Sequence, residues 1–116
     1  MPNKLSILIP AYNEEKTIAE VLAKVLAQNY IGWDKEIIVV NDASRDATAE
    51  KVGPFLNQIK YIKHSHNQGK GAAVRSGIKE ASGDAVIIQD ADLEYDPTDI
   101  QLLLNELDRG ADVVYG

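Results

Sequence analysis

The chain alternates continuous apolar runs with segments in which apolar residues recur at every third or fourth position. A short continuous run is typical of a strand that is buried on both faces. A repeat of three to four residues is typical of a helix that packs one face against a core. The runs predict strands over residues 4–10, 35–42, 59–64, 84–90 and 111–116. The repeats predict helices over residues 15–28, 47–56, 70–81 and 97–109.

Strands and helices therefore alternate along the whole chain. This order predicts an α/β fold in which a mostly parallel sheet is covered by helices on both faces, in one folding unit over residues 1–116. The third strand mixes apolar and polar residues, which favours a place near an edge of the sheet. Ligands bind beyond the carboxyl ends of the strands in such a sheet, so the residues that follow each strand are the candidates for function.

Three of the predicted helices have a plausible capping residue. Asn13 is predicted to cap the first helix, and Asp46 or Ser44 the second. Asp96 is predicted to cap the fourth helix, because a proline follows it at the first helical position.

Composition and charge narrow the class of protein. The 116 residues are 45% hydrophobic, which is ordinary for a globular domain. A net charge of -6 argues against general binding of nucleic acid. The absence of cysteine excludes disulfides and thiolate metal sites, and it fits a reducing compartment. No apolar run approaches the roughly 20 residues that span a bilayer, so we expect a soluble, cytoplasmic chain.

Two carboxylates, those of Asp90 and Asp92, follow the fourth strand directly. Residues i and i+2 of an extended chain point the same way, so both carboxylates can face one point. Two carboxylates this close do not both stay ionised without a cation. Their oxygen donors favour Mg²⁺ or Mn²⁺ over zinc. The alternative, a solvated acidic loop that caps the next helix, suits Asp96 better than either residue.

A glycine-rich segment, NQGKGAAVRSG at residues 67–77, leads into the third helix. Small residues and a helix N-terminus suit a phosphate, although a helix start can also need glycine for its turn. The segment is not a Walker loop, because Gly71 follows Lys70. It is not a dinucleotide fingerprint either, because Val74 stands where a third glycine belongs. Lys70 and Arg75 beside an acidic metal site favour a role near phosphate.

Other polar residues that follow the strands have two interpretations. Tyr12 and Asp42 could bind a nucleobase by stacking and by hydrogen bonding, but taken singly Asp42 is more simply a turn residue. His64 and His66 have a spacing that suits metal ligation. No third ligand lies near them in sequence, so both are predicted to be surface or loop residues.

Four motifs occur here together and in one order: SILIPAYNEEKTI, EIIVVNDASRDAT, NQGKGAAVRSGI and DAVIIQDADLEYDP. Jointly they resemble the N-terminal, nucleotide-sugar-binding half of a family 2 glycosyltransferase with the GT-A fold, a three-layer α/β/α architecture. The segments QDADLEYDP and GADVVYG are most similar to the branch that transfers mannose or glucose to dolichol or polyprenyl phosphate. The resemblance covers essentially the whole chain.

The resemblance implies a role for each motif residue. The residues implied to bind the nucleotide are Pro10, Ala11, Tyr12, Glu14, Asp42, Gly69, Lys70, Asp90 and Ala91. The first four would line the nucleobase pocket, Asp42 would contact the base or the ribose, and Gly69 and Lys70 would lie along the phosphates. Asp90 and Asp92 would hold Mg²⁺ or Mn²⁺, with Asp90 nearer the ribose, and Gln89 would help to shape the site.

The implied reaction is a single inverting displacement at the anomeric carbon of the sugar, with a nucleoside diphosphate as the metal-assisted leaving group. The implied partners are a UDP- or GDP-linked hexose and an acceptor such as a lipid phosphate or a glycan, at the cytoplasmic face of a membrane. Domains of this family are about twice as long. We therefore expect a truncated chain without the acceptor-binding half or a catalytic base, and a homo-oligomer stays open.

Three other functions are alternatives to this one. A non-catalytic nucleotide-binding module that needs a partner chain stays open. A sugar-phosphate nucleotidyltransferase is disfavoured, because PAYNEE stands where a glycine-rich activating loop belongs. A receiver domain is disfavoured, because no suitable lysine at a strand end follows Asp90.

Overall fold

A computed structural model of the chain describes residues 3–92 and 100–108. The strands are β1 (Asn3–Ala11), β2 (Trp33–Asn41), β3 (Lys60–Lys63) and β4 (Ala85–Ile88). The helices are α1 (Ile18–Ala27), α2 (Thr48–Val52), α3 (Lys70–Glu80) and α4 (Ile100–Asp108), and a 3₁₀ segment, Gly53–Gln58, continues α2. The predicted cap at Asp96 and the predicted strand over residues 111–116 lie outside the described residues. None of the described helices has the length and apolar character needed to cross a membrane.

The described strands form one parallel sheet in the order β3-β2-β1-β4. At its centre Leu8 of β1 pairs with Ile38 of β2 and Ile88 of β4. Alternate strand residues pack on opposite faces, against α1, α2 and α4 on one side and against α3 on the other. The predicted three-layer α/β/α architecture is therefore confirmed, and β3 lies at an edge of the described sheet, as expected.

The start of α1 differs from the prediction. The helix begins at Ile18 with Thr17 at its N-cap position, not with Asn13 as the cap. Asn13 has a φ of 54°, and its side-chain oxygen accepts the N–H of Arg45 at 2.8 Å. The asparagine therefore fastens the neighbouring β2–α2 loop instead of its own helix.

The start of α2 also differs from the prediction, because Ala47 occupies the N-cap position and makes no side-chain capping hydrogen bond. The carboxylate of Asp46 accepts the N–H of Thr48 at 2.9 Å, whereas the hydroxyl of Ser44 accepts the N–H of Asn13 at 3.0 Å. The α-helix ends at Val52, earlier than predicted. Pro54 has no N–H with which to continue the helical ladder, so the chain tightens into the 3₁₀ segment.

Helix α3 lies close to the sheet at Gly77. A Cβ atom at this position would lie 2.7 Å from Cδ2 of Leu8, which is buried. The helix can approach β1 this closely only because residue 77 has no side chain. The approach holds α3 in place, with its N-terminus at the carboxyl ends of the strands.

The amino ends of the strands are joined by the carboxylate of Glu36. It pairs with Lys60 at 2.8 Å and accepts hydrogen bonds from the hydroxyl of Ser6 and the N–H of Ser82. Burial raises the pKa of Glu36, but the hydrogen bonds from Lys60, Ser6 and Ser82 outweigh it and lower the pKa to about 2. The ionised carboxylate therefore stabilises the end of the sheet that lies away from the candidate site.

Gly77→Ala should destabilise the fold, because its methyl group overlaps Leu8. Overpacking of this kind costs about 1–3 kcal/mol, while the better helix propensity of alanine returns about 1 kcal/mol. Gly71→Ala in the same helix is the matched control, since its Cβ would meet only the side-chain atom Nη1 of Arg75, at 3.4 Å. Urea denaturation should show a lower free energy of unfolding for Gly77→Ala only. Equal stability of the two variants would contradict this account of the close approach.

Acid should weaken the Glu36 network between the ordinary pKa of 4.5 and the folded value of about 2. Because the folded pKa is the lower one, the contribution to stability is complete above pH 4.5 and is lost as the pH falls through 2. The free energy of unfolding of wild type should exceed that of Glu36→Gln by up to about 3 kcal/mol at neutral pH. The two free energies should converge near the folded pKa. Urea titrations across this range measure the gap. Glu20→Gln, at an exposed position of α1, is the control, and a gap that does not change with pH would refute the prediction.

Candidate functional site

A cavity of about 430 Å³ opens at the carboxyl ends of the strands. Its floor includes the buried Ala11 and Ala91, and Tyr12 stands at its rim with 42% of its surface exposed. The lining residues come from the end of β1, from the segments after β1, β2 and β4, and from the start of α3 and the loop before it. They are Pro10, Ala11, Tyr12, Glu14, Asp42, Asn67, Gly69, Lys70, Ala73, Asp90, Ala91 and Asp92. The fold thus gathers segments that are far apart in sequence around one concave surface.

The β1–α1 and β2–α2 loops hold each other in place beside this cavity. The N–H of Glu14 donates to the hydroxyl of Thr48 at 2.8 Å, and the N–H of Glu15 donates to Asp46 at 3.2 Å. The hydroxyl of Thr17 also donates to the carbonyl of Ala91, which ties the start of α1 to the segment after β4. The cavity wall is therefore set by side chains that bind the backbone of a different loop.

Asp42 organises the loop between β3 and α3. Its carboxylate accepts the N–H of Gln68 at 2.9 Å and of Gly69 at 2.8 Å, as well as a ring N–H of His64 at 2.8 Å. Burial raises the pKa of Asp42, but the hydrogen bonds from His64, Gln68 and Gly69 outweigh it and hold the pKa below its ordinary value. The residue is 3% exposed and lies in the cavity wall, so it is more than the turn residue considered from the sequence.

His64 lies in the loop after β3, as one of its two predicted positions allowed, but it does not lie at the surface. This side chain is 8% exposed and hydrogen-bonds both Asp42 and Ser76, whereas His66 is exposed. A signal for it was present in the sequence, because His64 follows β3 at the edge where Asp42 follows the neighbouring β2. Sequence reasoning also gave no place in the cavity lining to Asn67 or Ala73.

Helix α3 begins at the cavity. Gly69, at its N-cap position, has a φ of 95°, a backbone conformation that favours glycine. The turn before α3 therefore does need a glycine, as the sequence allowed. Gly69 and Lys70 also line the cavity. The positive end of the helix dipole lies at this N-terminus, where an anionic group is favoured.

Acidic side chains occupy the opposite wall. Asp90 accepts a hydrogen bond from the ammonium group of Lys70 at 2.6 Å, and Asp92 is exposed. Burial raises the pKa of Glu14, and the negative charges of Asp92, Asp46 and Asp90 raise it further. A hydrogen bond from Thr17 opposes this shift without cancelling it. The raised pKa of Glu14 thus reflects its burial first and the like charges at this wall second.

The donor set at this wall fits a hard divalent cation. Asp90 and Asp92 offer only carboxylate oxygens, the ligands that Mg²⁺ and Mn²⁺ take in proteins. The like charges that raise the pKa of Glu14 are of the kind that a cation relieves. Among residues 3–92 and 100–108 no group of three or more metal-binding side chains is clustered. The described residues thus offer a pair of carboxylate side chains in the lining of the cavity.

Every residue assigned from the sequence to the nucleotide or to the metal lies in the lining of this cavity. Gln89 lies beneath it, since the side chain is 1% exposed and donates to the carbonyl of Asp90 at 3.3 Å. The structure thus brings the predicted residues together, while their individual roles stay predictions.

Two curated relatives resemble the chain over nearly its full length. The dolichol-phosphate mannosyltransferase of Pyrococcus furiosus is 36% identical over 97% of this chain and 32% of its own length. The undecaprenyl-phosphate 4-deoxy-4-formamido-L-arabinose transferase of Pseudomonas fluorescens is 38% identical over 95% of this chain and 34% of its own length. The chain therefore spans about a third of the length of these relatives.

Solved structures of glycosyltransferases share the fold. The mannosyltransferase PcManGT of Pyrobaculum calidifontis, in complex with GDP-Man and Mn²⁺, superposes with a TM-score of 0.70 at 26% identity, over 79% of this chain and 28% of that one. The glucosyl-3-phosphoglycerate synthase of Mycobacterium tuberculosis, in complex with UDP, superposes with a TM-score of 0.77 at 26% identity, over 93% of this chain and 41% of that one. These likenesses confirm the predicted GT-A fold class. Residues 6–116 also match the sequence profile of the family described as glycosyl transferase family 2, and the chain therefore belongs to that family.

Proposed function

We propose that the protein is an inverting glycosyltransferase that moves a hexose from a UDP- or GDP-linked donor to a polyprenyl phosphate at the cytoplasmic face of a membrane. A divalent cation, Mg²⁺ or Mn²⁺, would assist it at Asp90 and Asp92. One observation carries the proposal: the segments that follow β1, β2 and β4 and precede α3 converge on one cavity. That cavity combines an aromatic rim, a helix N-terminus and paired carboxylates.

The cavity suits a nucleoside diphosphate in size and in polarity. Its volume of about 430 Å³ lies within the roughly 300–1,000 Å³ of small-molecule sites. Tyr12 at the rim offers a ring on which a base can stack, and the buried Asp42 lies in the wall between that rim and α3. Gly69 and Lys70 at the N-terminus of α3 offer a dipole and an ammonium group to the diphosphate. Lys70 lies 2.6 Å from Asp90 in the same lining, so positive and acidic groups are both at hand for a metal diphosphate.

The acidic wall supports the cation. When bound, such an ion supplies Lewis-acid neutralisation of the charge that develops on the diphosphate leaving group. Asp90 and Asp92 would hold it, with the remaining ligands drawn from water and phosphate oxygens. Lys70 now pairs with Asp90 at 2.6 Å, and in the donor complex its ammonium group would turn to the phosphates.

The names of the relatives and the chemistry of a lipid phosphate support the proposed acceptor. Both curated relatives are named as transferases of a polyprenyl phosphate, dolichol phosphate in one case and undecaprenyl phosphate in the other. A lipid phosphate is already an anion, so its oxygen can attack the anomeric carbon without a general base. The bond from that carbon to the diphosphate breaks on the opposite face, and the configuration inverts. The described residues would hold and orient the donor for this attack.

Binding of UDP and of GDP should be tighter with Mn²⁺ than without it, by about 10-fold or more, which is about 1.4 kcal/mol. Asp92→Asn should remove most of this gain, because an amide is a weaker ligand for the ion and does not balance its charge. Isothermal titration calorimetry of each nucleotide, with and without Mn²⁺, measures both effects.

Asp34→Asn is the matched control, since Asp34 is an exposed aspartate near the amino end of β2. It should bind as wild type does. Binding that does not depend on Mn²⁺, in wild type and in Asp92→Asn alike, would overturn the metal site. Binding of neither nucleotide would overturn the donor site.

Transfer of sugar should require the phosphate of the acceptor. Labelled UDP-glucose or GDP-mannose should give a glycolipid with polyprenyl phosphate but none with the matched polyprenol, because the alcohol is not an anion. The anomeric configuration of the product, read by NMR, should be opposite to that of the donor.

Retention of configuration would contradict the single displacement. Nucleotide binding without transfer to any phosphate acceptor would instead identify a non-catalytic nucleotide-binding module, which is the alternative that the sequence leaves open.

A further inference from the structure

His64 is a buried titratable side chain that the proposed function does not use. It follows β3, is 8% exposed and does not belong to the cavity lining. Both ring nitrogens are engaged: Nδ1 lies 2.8 Å from a carboxylate oxygen of Asp42, and Nε2 lies 2.8 Å from the hydroxyl of Ser76 in α3. The ring therefore bridges the end of β2 and the helix that borders the cavity.

The chemistry of the partners fixes which nitrogen carries the proton. An ionised carboxylate only accepts hydrogen bonds, so Nδ1 donates to Asp42. In the neutral ring Nε2 then accepts the hydroxyl proton of Ser76. The two contacts are therefore distinct, one charge-assisted and directed to the cavity wall, the other neutral and directed to a helix.

The contact to Asp42 continues into the backbone of the β3–α3 loop. The oxygen that accepts from His64 also accepts the N–H of Gln68, and the second carboxylate oxygen accepts the N–H of Gly69. Gly69 has a positive φ and precedes Lys70, the residue whose ammonium group reaches Asp90. The orientation of one carboxylate thus sets the backbone beside the proposed diphosphate.

We propose that His64 is a positioning residue for the donor site: by orienting the Asp42 carboxylate it holds the Gln68–Gly69 backbone in the shape that binds the nucleotide. The inference rests on the proposed function for its effect on binding, but not for its effect on the loop. It differs from a general structural role, because only the Nδ1 contact, and not the Nε2 contact, should matter to the nucleotide.

Two substitutions separate the two ring nitrogens. The amide nitrogen of asparagine can overlay Nδ1, so His64→Asn keeps a donor for Asp42 and loses the contact to Ser76. The amide of glutamine can overlay Nε2, so His64→Gln keeps the contact to Ser76 and loses the donor for Asp42. Ser76→Ala removes the helix contact alone and serves as the matched control.

Amide hydrogen exchange of Gln68 and Gly69 tests the effect on the loop without any nucleotide. Exchange should rise about 10-fold or more in His64→Gln and stay within about 3-fold of wild type in His64→Asn and Ser76→Ala. Calorimetry with UDP or GDP and Mn²⁺ should rank the variants in the same way, with a loss of nucleotide affinity of about 10-fold in His64→Gln alone. Circular dichroism confirms that each variant is folded.

The outcomes are distinguishable. Exchange at Gln68 and Gly69 that is unchanged in His64→Gln overturns the inference, whether or not any nucleotide binds. Faster exchange with unchanged affinity overturns the link to the donor site. Equal losses in all three variants identify a merely structural histidine. Wild type that binds no nucleotide overturns the proposed function, while the exchange data still decide whether His64 holds the loop.

Discussion

The buried carboxylate of Asp42 is the interaction on which the candidate site depends. It lies directly after β2 and accepts three hydrogen bonds from the β3 end and the loop that follows, two of them from backbone N–H groups. Its own N–H donates to Ala11 of β1 at 2.9 Å. Loss of this one acceptor would remove the partner of the buried His64 ring and of two backbone N–H groups at once, a larger penalty than the loss of a single hydrogen bond. The strands bring the loops together, and Asp42 converts that proximity into a fixed shape.

The fold class could be predicted from short-range pattern, whereas the membership of the site also drew on the resemblance of four motifs to a known family. Apolar runs and helical repeats identify the strands and helices, and a parallel order then forces the segments after β1, β2 and β4 to one edge of the sheet. No side-chain geometry is needed for that step. For the same reason the sequence places Tyr12, Asp42 and the pair Asp90 and Asp92 at one edge of the sheet.

What could not be predicted depends on contacts between loops that are distant in sequence. Asn13 has the composition of a helix cap, but a partner in the next loop, Arg45, takes its side chain. His64 resembles a surface residue until the sheet places it against Asp42 and α3 brings Ser76 to its other side. Local propensity is only a weak prior where tertiary contacts compete for the same polar atoms.

The ammonium group of Lys70 and the carboxylate of Asp90 lie 2.6 Å apart, so the lysine is a removable counter-ion. A cation that arrives alone must displace it and leave the ammonium group without that partner. A cation that arrives with a diphosphate offers the lysine a new partner at the same moment. Loading of the proposed site would then be cooperative, and by reciprocal linkage the nucleotide would raise the affinity for the ion as much as the ion would raise that for the nucleotide. An ordinary surface ion pair would thus let the proposed site discriminate a metal–nucleotide complex from either component alone.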